Sequence, residues 1–157
     1  MFWLLLAACE DPIGPVAEEG PEAYVGAAGS YLELGPPDDP NGLGWLLQLE
    51  EDAWTLREGE AWITADEVFA VAAEASKDGL VVGGTRLLPD SVEEGTSADG
   101  VEVLSRDEVE VYYGTFPDAI TVAVDGGDWA GEQVFARDVG LVSMTYQGVQ
   151  RELRYYE

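Results

Sequence analysis

The sequence predicts an all-β, mainly antiparallel fold: a curved sheet or partly open β-barrel of short strands joined by hairpins. Two observations carry this expectation. From Tyr31 onward, apolar residues alternate with polar or small ones in short runs, the period of a sheet with one buried face. Between the runs stand Lys77-Asp78-Gly79, Ala98-Asp99-Gly100, Asp125-Gly126-Gly127-Asp128 and Gln147-Gly148. These residues accept the positive φ that tight hairpin turns demand.

The strands follow from that punctuation. Val101 and Val103, Val109, Val111 and Tyr113, then Ile120, Val122 and Val124 alternate with polar or small residues and mark half-buried strands. Residues 140–146 and 149–156 flank Gln147-Gly148 and form a closing hairpin. One stretch reads two ways. Thr64-Ala65-Asp66-Glu67 matches a capping box ahead of an alanine-rich run, which allows one short helix near 65–77. The same run leads into Asp78-Gly79 and Leu80-Val81-Val82, a hairpin frame, and strand is favoured.

A chain of 157 residues, 46% hydrophobic, supports one core. Its 32 acidic and 7 basic residues give a net charge of −25, which repels phosphate backbones, so nucleic acid is not an expected partner. The acids run from Glu10 to Glu157 without forming a tail, the pattern of a solvated surface. Salt-rich surroundings, divalent cations or a basic partner are the sharper readings.

The opening MFWLLLAACE has its own logic. The apolar run Phe2 to Ala8 is far shorter than the roughly 20 helical residues needed to cross a hydrocarbon core. A short apolar segment ending in small residues is a secretory signal, although here only Met1 precedes the run, with no Lys or Arg. Leu6-Ala7-Ala8-Cys9 resembles the lipobox of bacterial lipoproteins. That resemblance implies cleavage before Cys9 and a diacylglycerol or acyl lipid on this cysteine, the only one in the chain. Two or three acyl chains hold a protein where one is marginal. The expected organisation is a signal peptide at 1–8, a lipidated Cys9 with a flexible acidic Pro/Gly tether over 9–30, and a single β domain at 31–157. The expected location is the cell envelope, lipid-anchored at the outer membrane and facing the periplasm or the cell surface.

A second resemblance lies in GTFPDAITVAV and FARDVGLVSMTYQGVQRELRYY. Gly114, Thr115 and Phe116, then Phe135, Ala136, Val139, Gly140, Leu141 and Val142, then Leu153, Tyr155 and Tyr156 resemble a loosely defined group of bacterial secreted proteins and lipoproteins of unknown function. Arg137-Asp138 depart from the group's usual residues, and Gly42-Leu43-Gly44-Trp45 matches its Gly-x-x-Trp feature only in part. The resemblance implies a curved antiparallel sheet or partly open barrel and brings no catalytic residue. Physical chemistry assigns structural work to Gly114, Thr115, Phe116, Phe135, Val139, Gly140 and Leu141: Gly140 permits a bend or bulge, with Phe135 and Leu141 packed beneath it.

Catalysis is narrowed by elimination. With no histidine, Ser-His and Cys-His nucleophiles and His-ligated zinc are absent. Gly83-Gly84-Thr85 lacks the spacing and lysine of a phosphate loop. Only carboxylate chemistry remains, and the expectation is a non-enzymatic protein with no catalytic residues and no cofactor beyond the lipid. Asp38-Asp39-Pro40-Asn41-Gly42 and Asp125-Gly126-Gly127-Asp128 set oxygen ligands in turns that suit calcium weakly. Trp45, Trp54, Trp62 and Trp129, with Tyr155-Tyr156, supply more aromatics than a small core requires; most are expected in the core, and the rest would line a concave face for an apolar ligand or a partner's strand. The leading functional expectation is a membrane-anchored envelope lipoprotein whose β domain binds an envelope protein or supports an assembly. The alternative is a carrier or sensor for a small apolar ligand or a divalent cation, and a hydrolase comes third.

Overall fold

The computed structural model describes residues 20–157. The expected signal peptide at 1–8, Cys9 and the first part of the expected tether lie outside the described residues. A 3-10 turn at Pro21–Tyr24 comes first. Twelve strands follow: β1 (Tyr31–Gly35), β2 (Gly44–Leu49), β3 (Ala53–Gly59), β4 (Asp66–Ser76), β5 (Gly79–Val82), β6 (Thr85–Leu88), β7 (Ser97–Ala98), β8 (Val101–Val111), β9 (Gly114–Val124), β10 (Gly131–Ala136), β11 (Gly140–Tyr146) and β12 (Val149–Tyr156).

The fold is all-β. Every neighbouring pair is antiparallel, and the strands form one sheet in the order β6-β5-β4-β3-β2-β1-β12-β11-β10-β9-β8-β7. The order is linear, so hydrogen bonding leaves the sheet open. Nearly all neighbours are also neighbours in sequence, joined by hairpins. The exception is β1 against β12, where Leu32 faces Tyr156 and Leu34 faces Leu153. That one non-local ladder joins the two halves of the chain at the middle of the sheet. At its far ends β6 lies against β8 and β9, and Arg86 Nε pairs with Asp99 Oδ2 at 2.9 Å. The ends thus touch through side chains without a ladder.

The turns explain the hairpins. Gln147 and Gly148 have φ of +49° and +75°, both positive as a type I′ turn requires, which matches the twist of β11 into β12. Lys77-Asp78, Asp99-Gly100 and Asp125-Gly126-Gly127-Asp128 likewise connect β4 to β5, β7 to β8 and β9 to β10. Gly83-Gly84 makes a further hairpin between β5 and β6.

Residues 66–76 are strand, and the short helix considered near 65–77 does not form. The cap-like residues instead close a single turn, in which Thr64 and Ala65 N–H both donate to the Ala61 carbonyl. Beyond it, Phe69 and Ala73 are buried and Val71 is partly buried, all on one face at period two, while the backbone is taken by β3 on one side and by β5 over its second half. Tertiary pairing outweighs the local helical signal here.

The packed part of the chain also begins upstream of the boundary drawn at 31. Tyr24 is fully buried, Val25 is buried beside it, and Asp138 N–H donates to the Ala23 carbonyl at 2.8 Å. In place of a free tether, residues 21–26 lie on the β10–β11 turn. One continuous core runs from Tyr24 through Leu32, Leu47, Trp54, Ile120, Phe135 and Leu141 to Leu153.

Candidate functional site

The inner face of the sheet is filled by aromatic rings. Trp129 stands 6.5 Å from Trp54, 5.8 Å from Phe69 and 5.1 Å from Tyr146 between ring centroids, and Tyr146 in turn lies 6.2 Å from Trp45. These tilted and edge-to-face contacts are the favoured geometries for paired rings. Trp45 is further fixed by its Nε1–H, which donates to Glu58 Oε2 at 2.8 Å, and by the Arg151 guanidinium 5.0 Å from its ring centre. Trp45, Trp54 and Trp129 are therefore core residues. Trp62 is half-buried, edge-on to Tyr31 at 6.1 Å with Arg57 4.7 Å from its ring centre.

Among the described residues, hollows border this core. One of about 150 Å³ lies between the leading segment and the sheet, lined by Val25, Gly26, Trp54, Ala73 and Leu80. It is well below the roughly 300–1,000 Å³ of an ordinary ligand pocket. Another, about 410 Å³, is an open depression beside β7 bounded by Ser97, Glu102 and Asp125.

Tyrosines crowd one end of the sheet. The β8–β9 turn leans on β12: Tyr113 N–H donates to the Leu153 carbonyl at 3.0 Å and Tyr112 N–H to Glu152 Oε2 at 3.2 Å. Tyr113 sits 5.1 Å from Tyr156 and 6.1 Å from Phe116 between ring centres. Tyr112, Tyr113, Tyr155 and Tyr156 are exposed. A hydrogen bond to Glu157 raises the Tyr155 hydroxyl pKa, and the surface offers rings and hydroxyls suited to stacking and hydrogen bonding.

Asp118 on β9 is the densest polar contact. Tyr24 donates its hydroxyl to Asp118 Oδ1 at 2.9 Å. Arg106 approaches with Nε at 3.1 Å and Nη2 at 3.2 Å, and Arg137 with Nη1 at 3.5 Å. Burial pushes the Asp118 carboxyl up, but these hydrogen bonds and the two guanidinium charges outweigh it and hold the pKa below the usual carboxylate range. The cluster clasps the leading turn to β8, β9 and the β10–β11 turn.

The expected motif residues fall in the β8–β12 half. Gly114 and Thr115 open β9, and Phe116 is buried beneath Tyr113. Phe135 and Leu141 are opposed across the β10–β11 ladder at a register shift, both fully buried, while Val139 is partly buried in the turn before Gly140. Cys9 lies outside the described residues. In the Asp38–Gly42 loop, Arg154 donates to the carbonyls of Asp39 at 2.7 Å and Gly42 at 2.9 Å, so an internal guanidinium already faces these oxygens. Asp128, in the β9–β10 turn, accepts Gln147 N–H from the β11–β12 turn at its carbonyl at 2.6 Å, so it ties two turns together. Among the described residues, no three acidic side chains gather at metal-binding distance.

One structural residue has no sequence signature. Gln133 is fully buried in β10. Its Nε2 donates to the carbonyls of Trp129 at 2.9 Å and Thr145 at 2.7 Å, while its Oε1 accepts Thr145 N–H at 2.8 Å. The side-chain amide stands in for a backbone peptide beside the register shift.

Charge is distributed unevenly. Arg57 donates to the Trp62 carbonyl, Arg86 to Asp99, Arg106 and Arg137 to Asp118, Arg151 to the Gln150 carbonyl, and Arg154 to the Asp39 and Gly42 carbonyls. All six arginines serve the chain's own structure, which leaves an acidic outer surface. Comparison with protein-family models, with curated proteins and with solved structures finds no match.

Proposed function

We propose that this chain is a non-enzymatic lipoprotein of the bacterial cell envelope, held at the outer membrane by acyl lipid on Cys9, whose β domain binds a protein partner or supports an assembly. The observation that carries the reading is the placement of the aromatics: Trp45, Trp54, Phe69, Trp129 and Tyr146 pack ring against ring inside, while Tyr112, Tyr113 and Tyr155 face outward. Recognition then falls to the outer surface, where aromatic rings are the side chains most enriched in protein interfaces. An acidic exterior adds steering toward a basic partner.

The test is crosslinking in intact cells followed by affinity capture from the envelope fraction, with the Cys9→Ala protein as the unanchored control. One specific envelope protein captured by the anchored form is the expected result. Capture that does not rise above the control would overturn the partner reading and direct attention to a bound small molecule.

A further inference from the structure

One long strand is only half partnered. β4 pairs with β3 along Asp66–Ala72 but with β5 only along Ala73–Ser76. The last bond on the β5 side runs from Gly83 N–H to the Ala72 carbonyl at 2.8 Å, whereas Ala73 N–H turns the other way, to the Asp52 carbonyl at 2.9 Å. Backbone groups alternate sides along a strand, so the N–H and C=O of Ala70 point the same way as those of Ala72. None of the described strands lies there. Among the described residues, no backbone hydrogen bond reaches residues 66–71 from that side.

The surface around this edge admits another chain. Val68, Ala70 and Ala72 are exposed and carry small or β-branched side chains, while Phe69 and Val71 turn toward the core. The sheet's terminal strands are blunted by shortness, β6 with four residues and β7 with two. β4 is protected differently, by the exposed acids Asp66 and Glu67 at one end of the free edge and Glu74 beyond the other. Those charges reject a second copy of a chain with net charge −25 and favour a partner of opposite sign.

We propose that the free edge of β4 at residues 66–71 accepts an extended segment of a partner protein as an added strand, one in which lysine or arginine alternates with small or β-branched residues. Main-chain bonds to Ala70 supply the attachment, and Asp66 and Glu67 meet the cations, dividing affinity and specificity as strand addition does elsewhere. The proposal rests on the partner-binding reading and names its surface and the chemistry of its ligand.

The probe is a short synthetic peptide alternating lysine and valine, titrated against the full chain. Two comparison peptides go with it: one with glutamate in place of lysine, the other N-methylated at alternate amides. Expected are saturable binding of the lysine peptide, slowed amide exchange at Ala70, and at least about tenfold weaker binding for both comparison peptides and for the Asp66→Lys/Glu67→Lys protein. Equal binding of the N-methylated peptide, protection that maps away from β4, or no binding at millimolar peptide would overturn the proposal. The peptide titration needs no cellular partner, so its failure removes the β4 assignment alone. Failure of capture in cells strikes the partner reading instead.

Discussion

Gly140 lies so close to Val25 that a Cβ at position 140 would stand 2.7 Å from the Val25 carbonyl oxygen. The approach is backbone on backbone, with Gly140 at φ +101°, where side chains are strained in any case. The first residue of β11 is therefore what lets the leading segment dock. Gly140→Val is expected to cost about 3 kcal/mol through strain and displacement of residues 23–26. Thermal unfolding by circular dichroism checks it: a variant melting with the parent would show that this contact does not hold the segment.

The Tyr24–Asp118 clasp predicts opposite effects at the two ends of the pH scale. Burial and the Asp118 bond push the Tyr24 hydroxyl from 10.0 up to about 12. The folded protein thus holds this proton more tightly than the unfolded chain, and the stabilisation is complete below about pH 10 and lost as pH rises toward 12. Tyr24→Phe should flatten urea-measured stability across that window and cost about 1 kcal/mol at neutral pH.

Asp118 has the reverse sign. Its carboxyl is held below the ordinary 3.8, so its contribution is present above that pH and fades as acid protonates the folded form. Asp118→Asn should lose this part of the acid dependence, read from urea midpoints between neutral pH and about pH 3. An unchanged acid limb would place the acid sensitivity in other carboxylates.

Gln133→Leu puts an apolar side chain of similar bulk in place of the amide and leaves Thr145 N–H and the carbonyls of Trp129 and Thr145 without their partner. Unpaired buried backbone groups cost about 1–3 kcal/mol each, and a loss of at least about 2 kcal/mol in urea denaturation is expected. Loss under about 0.5 kcal/mol, the range of an ordinary surface change, would show that the amide bridge is dispensable.

Globomycin treatment, or Cys9→Ala, should leave an unprocessed and unacylated precursor, seen as slower gel migration and loss of labelled fatty acid. Normal acylation of Cys9→Ala would remove the anchor from the proposal.

Much of the architecture is legible because hairpins are local. Asp99-Gly100 and Gln147-Gly148 need only their own φ preferences to reverse the chain, and the valines of β8 and β9 need only period two to choose a face. Phe135 and Leu141 face each other within one hairpin, whereas the approach of Gly140 to Val25 joins segments far apart in the chain. Residues 66–76 were harder, because Thr64-Ala65-Asp66-Glu67 carries a helical signal that only the flanking strands β3 and β5 override. Gln133 was invisible: a glutamine in a strand reads as solvent-facing until the bulge behind it exposes peptide groups to satisfy. The free edge of β4 was invisible too, since it depends on where β5 stops.

By itself the sequence determined the all-β class, most turns and the acidic surface, all written in periodicities and composition that act over a few residues. Tertiary structure alone decided that β1 pairs with β12, that Tyr24 is tied to Asp118, that Trp54, Phe69, Trp129 and Tyr146 meet in one cluster and that one strand keeps an open side. Each joins or compares segments far apart in the chain, and such contacts form only when the summed burial of a shared core exceeds the entropy of closing the loops between them.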